Sequence, residues 1–94
     1  MNNAKIQTLH PDKDKKNKLI SAEKYEIIKA AILQILQAGS ITHTELVQAV
    51  HDNVHTSFDG NAHWYGETVK LDLEAREIIQ RDNGKPPLYS INKA

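Results

Sequence analysis

Two histidines at a helical spacing are the residues in this sequence that most resemble a metal-binding site. His51 and His55 are four residues apart, so they share one face of a helix. Asp52 stands where a water-activating glutamate follows the first histidine in helical zinc sites. That aspartate is too short to reach a bound water, and His63 is the only further histidine nearby. The sequence therefore predicts neither a metal site nor a cofactor.

Other catalytic patterns are missing from the sequence. Ser57 and Ser90 have no neighbouring residues typical of a nucleophile, and the chain has no glycine-rich phosphate loop and no cysteine. The acidic residues are dispersed over predicted helix surfaces, where they are typical of solubility groups. We predict that the protein is not an enzyme, and no small-molecule ligand is evident.

Chain length and net charge restrict the class of protein further. A chain of 94 residues suffices for one domain with a modest core. Its 12 lysine and arginine residues balance its 12 aspartate and glutamate residues, which weakens any broad attraction to a polyanion. No amino-terminal apolar run provides a secretion signal or a membrane span. We therefore predict a cytoplasmic protein with no membrane contact.

The first 20 residues differ from the rest in composition. Residues 12–18 are charge-dense and contain no apolar side chain, and lysines outnumber aspartates in this segment, which makes it the most basic part of the chain. Residues 5–9 could add a short strand, with Pro11 ending any regular structure, but a solvated tail is the simpler interpretation. We expect residues 1–20 to form a partly flexible arm and residues 21–94 to form the folded domain.

Two helices with clear boundaries begin that domain. Ser21 is a good N-cap and Gly39 a stop signal, and the residues between them have one apolar face. That face comprises Tyr25, Ile28, Ile32, Ile35 and Leu36. Thr42 and Glu45 have the spacing of a capping box, so a second helix is predicted to begin there and to end near Val54.

A third helix and a hairpin complete the order of elements. The helix is predicted from Asn61 to Arg76, and strands over residues 78–81 and 88–91 flank an Asn83-Gly84 turn. Asparagine and glycine tolerate the positive φ of a type I′ turn. Three helices followed by a C-terminal wing are the order of a winged helix-turn-helix, a mainly α fold with a small β-hairpin (α+β).

The third helix has two apolar stripes on nearly opposite faces. Its first stripe consists of Ala62, Tyr65, Val69 and Leu73, and its second stripe of Trp64, Leu71, Ala75 and Ile78. Only one stripe can face the three-helix core. We expect the second stripe to be covered by the returning strand and the amino-terminal segment, or by a second copy of the chain in a homodimer.

Between the stripes lies a polar face that a winged helix would turn toward DNA. It consists of His63, Glu67, Lys70, Glu74 and Glu77. Three acids against one lysine would repel phosphates, and a solvated face with Lys70 paired to its acidic neighbours explains the same residues. We chose candidate nucleic-acid contacts by the ability of a side chain to form hydrogen bonds and by local positive charge. They are Asn61, His63, Thr68 and Lys70 in the helix, and Arg81 and Lys85 in the hairpin.

Several segments of the sequence are similar to known proteins. They are residues 6–11, Tyr25, the pair Trp64-Tyr65, the run of residues 68–76, Ile79 and Arg81. Together these segments resemble a family of small, mostly bacterial proteins of unknown function, which implies a winged-helix-like fold and no established activity. Residues 69–81 also resemble the recognition helix and first wing strand of winged-helix regulators, which commonly have glycine where this chain has Glu77.

Two functions remain open. The first is a nucleic-acid-binding winged helix, an accessory transcriptional regulator that contacts double-stranded DNA as a dimer. The alternative is a winged-helix module for protein–protein interaction or dimerisation without DNA binding, which the balanced charge and the acidic third helix favour. Only analogy from fold to function ranks the first ahead.

Overall fold

The structure is a computed structural model that describes residues 4–92, so residues 1–3 of the expected arm and residues 93 and 94 of the expected domain lie outside it. The helices are α1 (Ala22–Gln37), α2 (His43–Val54) and α3 (Ala62–Ala75). The strands are β1 (Lys5–Gln7), β2 (Leu19–Ser21), β3 (Ile41–Thr42), β4 (Ile79–Arg81) and β5 (Leu88–Ile91). This is the predicted mainly helical α+β class, consistent with a winged-helix-like fold.

Local capping sets the helix boundaries as predicted. The Ser21 side chain accepts a hydrogen bond at the start of α1, and Gly39 follows the helix with φ of 143°. At α2, Thr42 Oγ1 accepts from the Glu45 amide at 3.2 Å while Glu45 Oε1 accepts from the Thr42 amide at 3.1 Å. Asn61 caps α3. Within residues 4–92 no helix has both the length and the apolar character to cross a membrane.

One apolar face from each helix forms the core. The fully buried aliphatic side chains are Ile28, Ile32, Leu46, Val50, Val69, Leu73 and Ile79. The α3 stripe that contains Val69 and Leu73 therefore faces the core. The structure thus shows that the first stripe of α3 packs in the core. Hydrophobic periodicity alone did not distinguish it from the second stripe.

The wing is a three-stranded antiparallel sheet in the order β3-β5-β4. Arg81 pairs with Tyr89, so residues 82–87 form the connection between β4 and β5. The predicted Asn83-Gly84 type I′ turn is wrong, because neither residue has positive φ. The Asp82 carboxylate instead accepts the Gly84 amide at 2.9 Å and the Leu88 amide at 3.0 Å, which lowers its pKa and closes a longer loop.

The amino-terminal residues form a second, two-stranded sheet. Strands β1 and β2 are antiparallel, with Ile6 opposite Ile20. Ile20 is buried in the core and Thr8, just after β1, is only 1% exposed. Residues 5–7 are therefore a strand and not the solvated tail that composition favoured. Composition alone could not detect this, because the strand forms by pairing with β2 across a long polar connection.

The end of α3 contains an unusual backbone conformation. Arg76 is the C-cap, and Glu77 has φ of 62°, in the left-handed region that favours glycine. The Ile78 amide donates to the Leu73 carbonyl at 2.9 Å and the Glu77 amide donates to the Glu74 carbonyl at 3.1 Å, which is the Schellman pattern. The helix therefore ends where winged-helix regulators commonly place glycine, although this chain has glutamate.

Replacing Glu77 with glycine is expected to stabilise the protein by roughly 0.5–1 kcal/mol. Relief of the left-handed conformation is worth about 1–2 kcal/mol, and the added flexibility of the unfolded chain offsets about 0.4–1 kcal/mol of it. Urea unfolding followed by circular dichroism measures the change. Glu67→Gly, inside α3, is the matched control and should destabilise by about 1 kcal/mol. An equal loss of unfolding free energy in both variants would show that the backbone at Glu77 is not strained.

Candidate nucleic-acid interface

The α3 face that was predicted to meet DNA is partly buried. Thr68 is 5% exposed and Lys70 is 4% exposed. The Thr68 carbonyl accepts a hydrogen bond from the side chain of Asn17 at 3.0 Å, because the connection between β1 and β2 lies against this part of α3. Neither Thr68 nor Lys70 is accessible to a nucleic acid in this structure, which corrects their assignment as contacts.

Lys70 links α3 to the wing. Its Nζ donates to Tyr89 Oη at 3.1 Å, lies 4.2 Å from the centroid of the same ring, and is 3.8 Å from Glu74 Oε1. The predicted pairing with Glu74 is thus confirmed. Glu67 instead lies with its carboxylate 3.5 Å from His43 Nε2. The Lys70 charge is used inside the protein and is not presented to phosphates.

The exposed part of α3 lacks positive charge. Asn61 is exposed, but its Oδ1 accepts from the Trp64 amide at 3.1 Å as the helix cap. His63 is exposed and stacks on His51 with ring centroids 4.5 Å apart. Glu67 follows on the same face. Because Lys70 is the only lysine or arginine between residues 61 and 75, groove insertion of this helix would bring a carboxylate and no free cation to the phosphates.

The second stripe of α3 is only partly exposed. Trp64 is 40% exposed and packs edge-to-face on Tyr65 at 4.8 Å. Leu71, Ala75 and Ile78 are half-buried. The amino-terminal segment and the returning strand β5 both lie beside Leu71, as expected for covering by the chain itself. The candidate dimer interface is thereby reduced mainly to Trp64.

Positive charge is concentrated in residues 8–18, the connection between β1 and β2, which we call the lysine loop. Its four lysines are all exposed: Lys13, Lys15, Lys16 and Lys18. Asp12 and Asp14 are the only acids in this loop. Sequence analysis identified the segment as basic but named none of its residues as a contact.

Hydrogen bonds hold the lysine loop in place. The Asn17 side chain donates to the Leu9 carbonyl at 2.9 Å as well as to α3, so one amide bridges both sides of the loop and the helix. The Thr8 amide donates to the Lys18 carbonyl at 3.0 Å, and the Lys15 amide donates to the Asp12 carbonyl at 3.0 Å. The loop is therefore a preorganised surface and not a free tail.

A buried carboxylate fastens the same loop to the helices. Asp72 is 0% exposed, and it accepts from the Leu9 amide at 2.8 Å, from Tyr25 Oη at 2.5 Å and from Arg76 Nε at 2.9 Å. Burial and the bond to Asp72 raise the pKa of Tyr25 far above its ordinary value near 10. The hydrogen bond to Asp72 also raises the pKa of Arg76. Three segments of the chain thus meet at one ionised group.

Neither Asp72 nor Asn17 was identified as important by sequence analysis. The available signal was Asp72 lying four residues before Arg76, a spacing that brings the two side chains together on a helix. The other partners are distant in sequence, since Tyr25 is 47 residues away and Leu9 is 63 residues away. Asn17 gave no signal, because its role depends entirely on where the loop lies.

Two cationic residues of the wing remain available. Arg81 and Lys85 are exposed, in β4 and in the following loop. Arg81 lines a concavity of about 420 Å³ together with His10 of the lysine loop and Tyr89. The structure therefore brings one predicted contact, Arg81, beside residues 10–12 of the lysine loop, and it leaves Asn61 and His63 near the other end of α3.

The predicted histidine pair has a packing role in this structure. The ring of His51 stacks on those of both His55 and His63, with interplanar angles of 11° and 7°. The in-plane nitrogen lone pairs of stacked rings do not converge on one point. Within residues 4–92, no group of three or more histidine, cysteine or acidic side chains is arranged to hold a metal ion.

Comparison with known proteins gives a family. A model described as a family of unknown function (DUF6958) matches residues 5–89. The match includes β1, the lysine loop, all three helices and most of the wing. No curated protein and no solved structure matches the chain.

Proposed function

The chain belongs to this family of unknown function, from which no activity can be transferred, and we propose that it binds nucleic acid through the lysine loop and the wing. The observation that carries the proposal is the fixed position of the lysine loop beside Arg81. Its four exposed lysines, held by Asn17 and Asp72, and the two wing cations can contact several phosphates at once.

The order of elements adds support by analogy. Three helices, with a short strand between the first two and a hairpin after the third that together form the wing, are the arrangement used by winged-helix regulators, to which residues 69–81 are also similar. The contact surface differs from theirs, because the exposed face of α3 presents the Glu67 carboxylate and no free cation. Binding would therefore depend on phosphates more than on base edges, so it would be weak, tolerant of sequence and sensitive to salt.

Removing two loop lysines should weaken nucleic-acid binding by about tenfold at low salt. In Lys15→Gln with Lys16→Gln, each lost phosphate contact should also reduce the slope of log affinity against log salt by about 1. Fluorescence anisotropy of labelled duplex and single strands, titrated at several salt concentrations, measures both quantities. The matched control is Lys24→Gln with Lys29→Gln on α1, which makes the same change in net charge.

The comparison with the control decides the proposal. The control pair should keep affinity within about twofold, since its lysines lie outside the proposed surface. Equal losses in both pairs would mean that only net charge matters, which would contradict a defined surface. The pair Arg81→Ala with Lys85→Ala tests the wing separately, and an unchanged affinity and salt slope would remove the wing from the interface.

A protein-interaction module is the second candidate function, and Trp64 favours it. An indole that is 40% exposed, three residues before the exposed Glu67, is typical of a protein-binding surface. Absence of nucleic-acid binding even at low salt would move the assignment to this function.

A further inference from the structure

The lysine loop lines a partly open concavity. Its volume is about 610 Å³, and it lies between the loop and the C-terminal end of α3. Pockets of this size accommodate small organic groups. Ala75 of α3 lines it, and the other lining residues are Gln7 at the end of β1 and members of the lysine loop. The site therefore exists only because the loop is held against the helix.

One part of the lining is cationic, and we call it the cationic rim. It consists of Lys13, Lys15 and Lys16, and none of the residues that line the concavity in the described part of the chain is aspartate or glutamate. The carboxylate of Asp12 is used within the loop, where Oδ1 accepts the amide of Asp14 at 3.0 Å. The pocket therefore suits an anion, and a phosphate fits several ammonium groups at once.

Another part of the lining is apolar, and we call it the apolar floor. It includes Leu9, which is 41% exposed, with Pro11 and Ala75. His10 adds a polar edge: because its Nδ1 accepts the Asp12 amide at 3.0 Å, the neutral ring carries its proton on Nε2 and offers a donor. An apolar floor, a hydrogen-bond donor and a cationic rim match a flat heterocycle that is linked to a phosphate.

We infer that this concavity binds one unpaired nucleotide, with the base on the apolar floor and the phosphate on the three lysines. The inference rests on the proposed function and deepens it, because it names single-stranded nucleic acid or a strand end as the ligand. In a duplex the base faces are covered by stacking and cannot enter such a pocket. The acidic α3 face, which disfavours groove insertion, agrees with this choice.

Binding of a free nucleotide tests the pocket directly. Adenosine monophosphate, titrated into the full chain and followed by NMR, should shift the amides of Leu9, Asn17 and Ala75. It should bind about tenfold more tightly than inorganic phosphate, because only the nucleotide buries a base on the apolar floor. Equal binding of the two ligands, or shifts confined to the lysines, would overturn the inference. A phosphoserine peptide that binds at the same place as tightly as the nucleotide would also overturn it.

Filling the pocket without changing charge tests its role in strand binding. Ala75→Leu should lower affinity for the nucleotide and for a single strand by about tenfold while leaving affinity for a blunt duplex within about twofold. Ala30→Leu, at an exposed position of α1, is the matched control and should change none of these affinities. Thermal unfolding of both variants confirms that each is folded, and the amide shifts in the unchanged protein give a readout that needs no variant.

The outcomes separate this inference from the proposed function. If Ala75→Leu has no effect while the Lys15 and Lys16 double variant still loses affinity for both strands, the pocket inference fails and nucleic-acid binding stands. If the nucleotide binds and neither strand does, the proposed function fails, and with it the assignment of a strand to this pocket.

Discussion

Replacing Asp72 with alanine is expected to lower the free energy of unfolding by about 3–5 kcal/mol. The substitution leaves the Leu9 amide and the Tyr25 hydroxyl without their acceptor and removes the carboxylate from the Arg76 guanidinium. Breaking a buried ion pair on one side typically has this cost, because the groups left behind lose solvation and gain no partner. Urea unfolding monitored by circular dichroism at neutral pH measures the loss.

Asp52→Ala on α2 is the matched control. The Asp52 side chain is 66% exposed, and its bonds to Gln48 and His51 are at the surface, so its loss should leave stability nearly unchanged. Hydrogen exchange adds a local readout: in Asp72→Ala the amides of Leu9 and Thr8 should exchange much faster than in the control. A loss equal to that of Asp52→Ala would show that the three segments do not meet at Asp72 in solution.

The second large effect is expected at Leu73. Leu73→Ala should destabilise by about 2–5 kcal/mol, because the side chain is 0% exposed in the three-helix core and its removal leaves a cavity. Urea unfolding again measures the change. The substitution keeps helix propensity high, so the loss reports packing and not the intrinsic stability of α3.

Leu71→Ala on the same helix is the comparison. Leu71 lies on the second stripe and is half-buried, with partial cover from the lysine loop and β5, so its truncation should cost about 1 kcal/mol or less. A larger loss at Leu71 than at Leu73 would mean that the other stripe faces the core. The pair of variants therefore tests the orientation of α3, which the sequence left undecided.

Local signals predicted the helices well. The Ser21 cap and the Thr42 to Glu45 capping box each act between residues at most three apart, so their effect is readable without tertiary information. The strands of the C-terminal hairpin were also predicted from local signals, namely short runs that contain apolar residues on either side of a turn. Its turn was not, because the side chain of Asp82 and the two following prolines favour a longer loop than the Asn83-Gly84 pair suggested.

Periodicity was less informative about α3, whose polar face is not all solvated. Lys70 falls among acidic residues at helical spacing, which favours exposure, yet it is buried against Tyr89. A wheel diagram does not contain the strand and the loop that cover this face. For that reason the sequence did not show that the candidate contacts Thr68 and Lys70 are buried. Arg81 and Lys85 are exposed on the wing.

The sequence by itself determined the order of the three helices and the C-terminal hairpin, the helix ends and the concentration of lysines near the amino terminus. These depend on composition, on capping between near neighbours and on hydrophobic period. Only the tertiary structure decided that the lysine segment is a fixed loop against α3, since that follows from Asp72 and Asn17 meeting partners dozens of residues away. Buried polar groups need hydrogen-bond partners, and the tertiary fold determines which groups come close enough to pair. Because these partners are far apart in the sequence, no local pattern predicts the pairs.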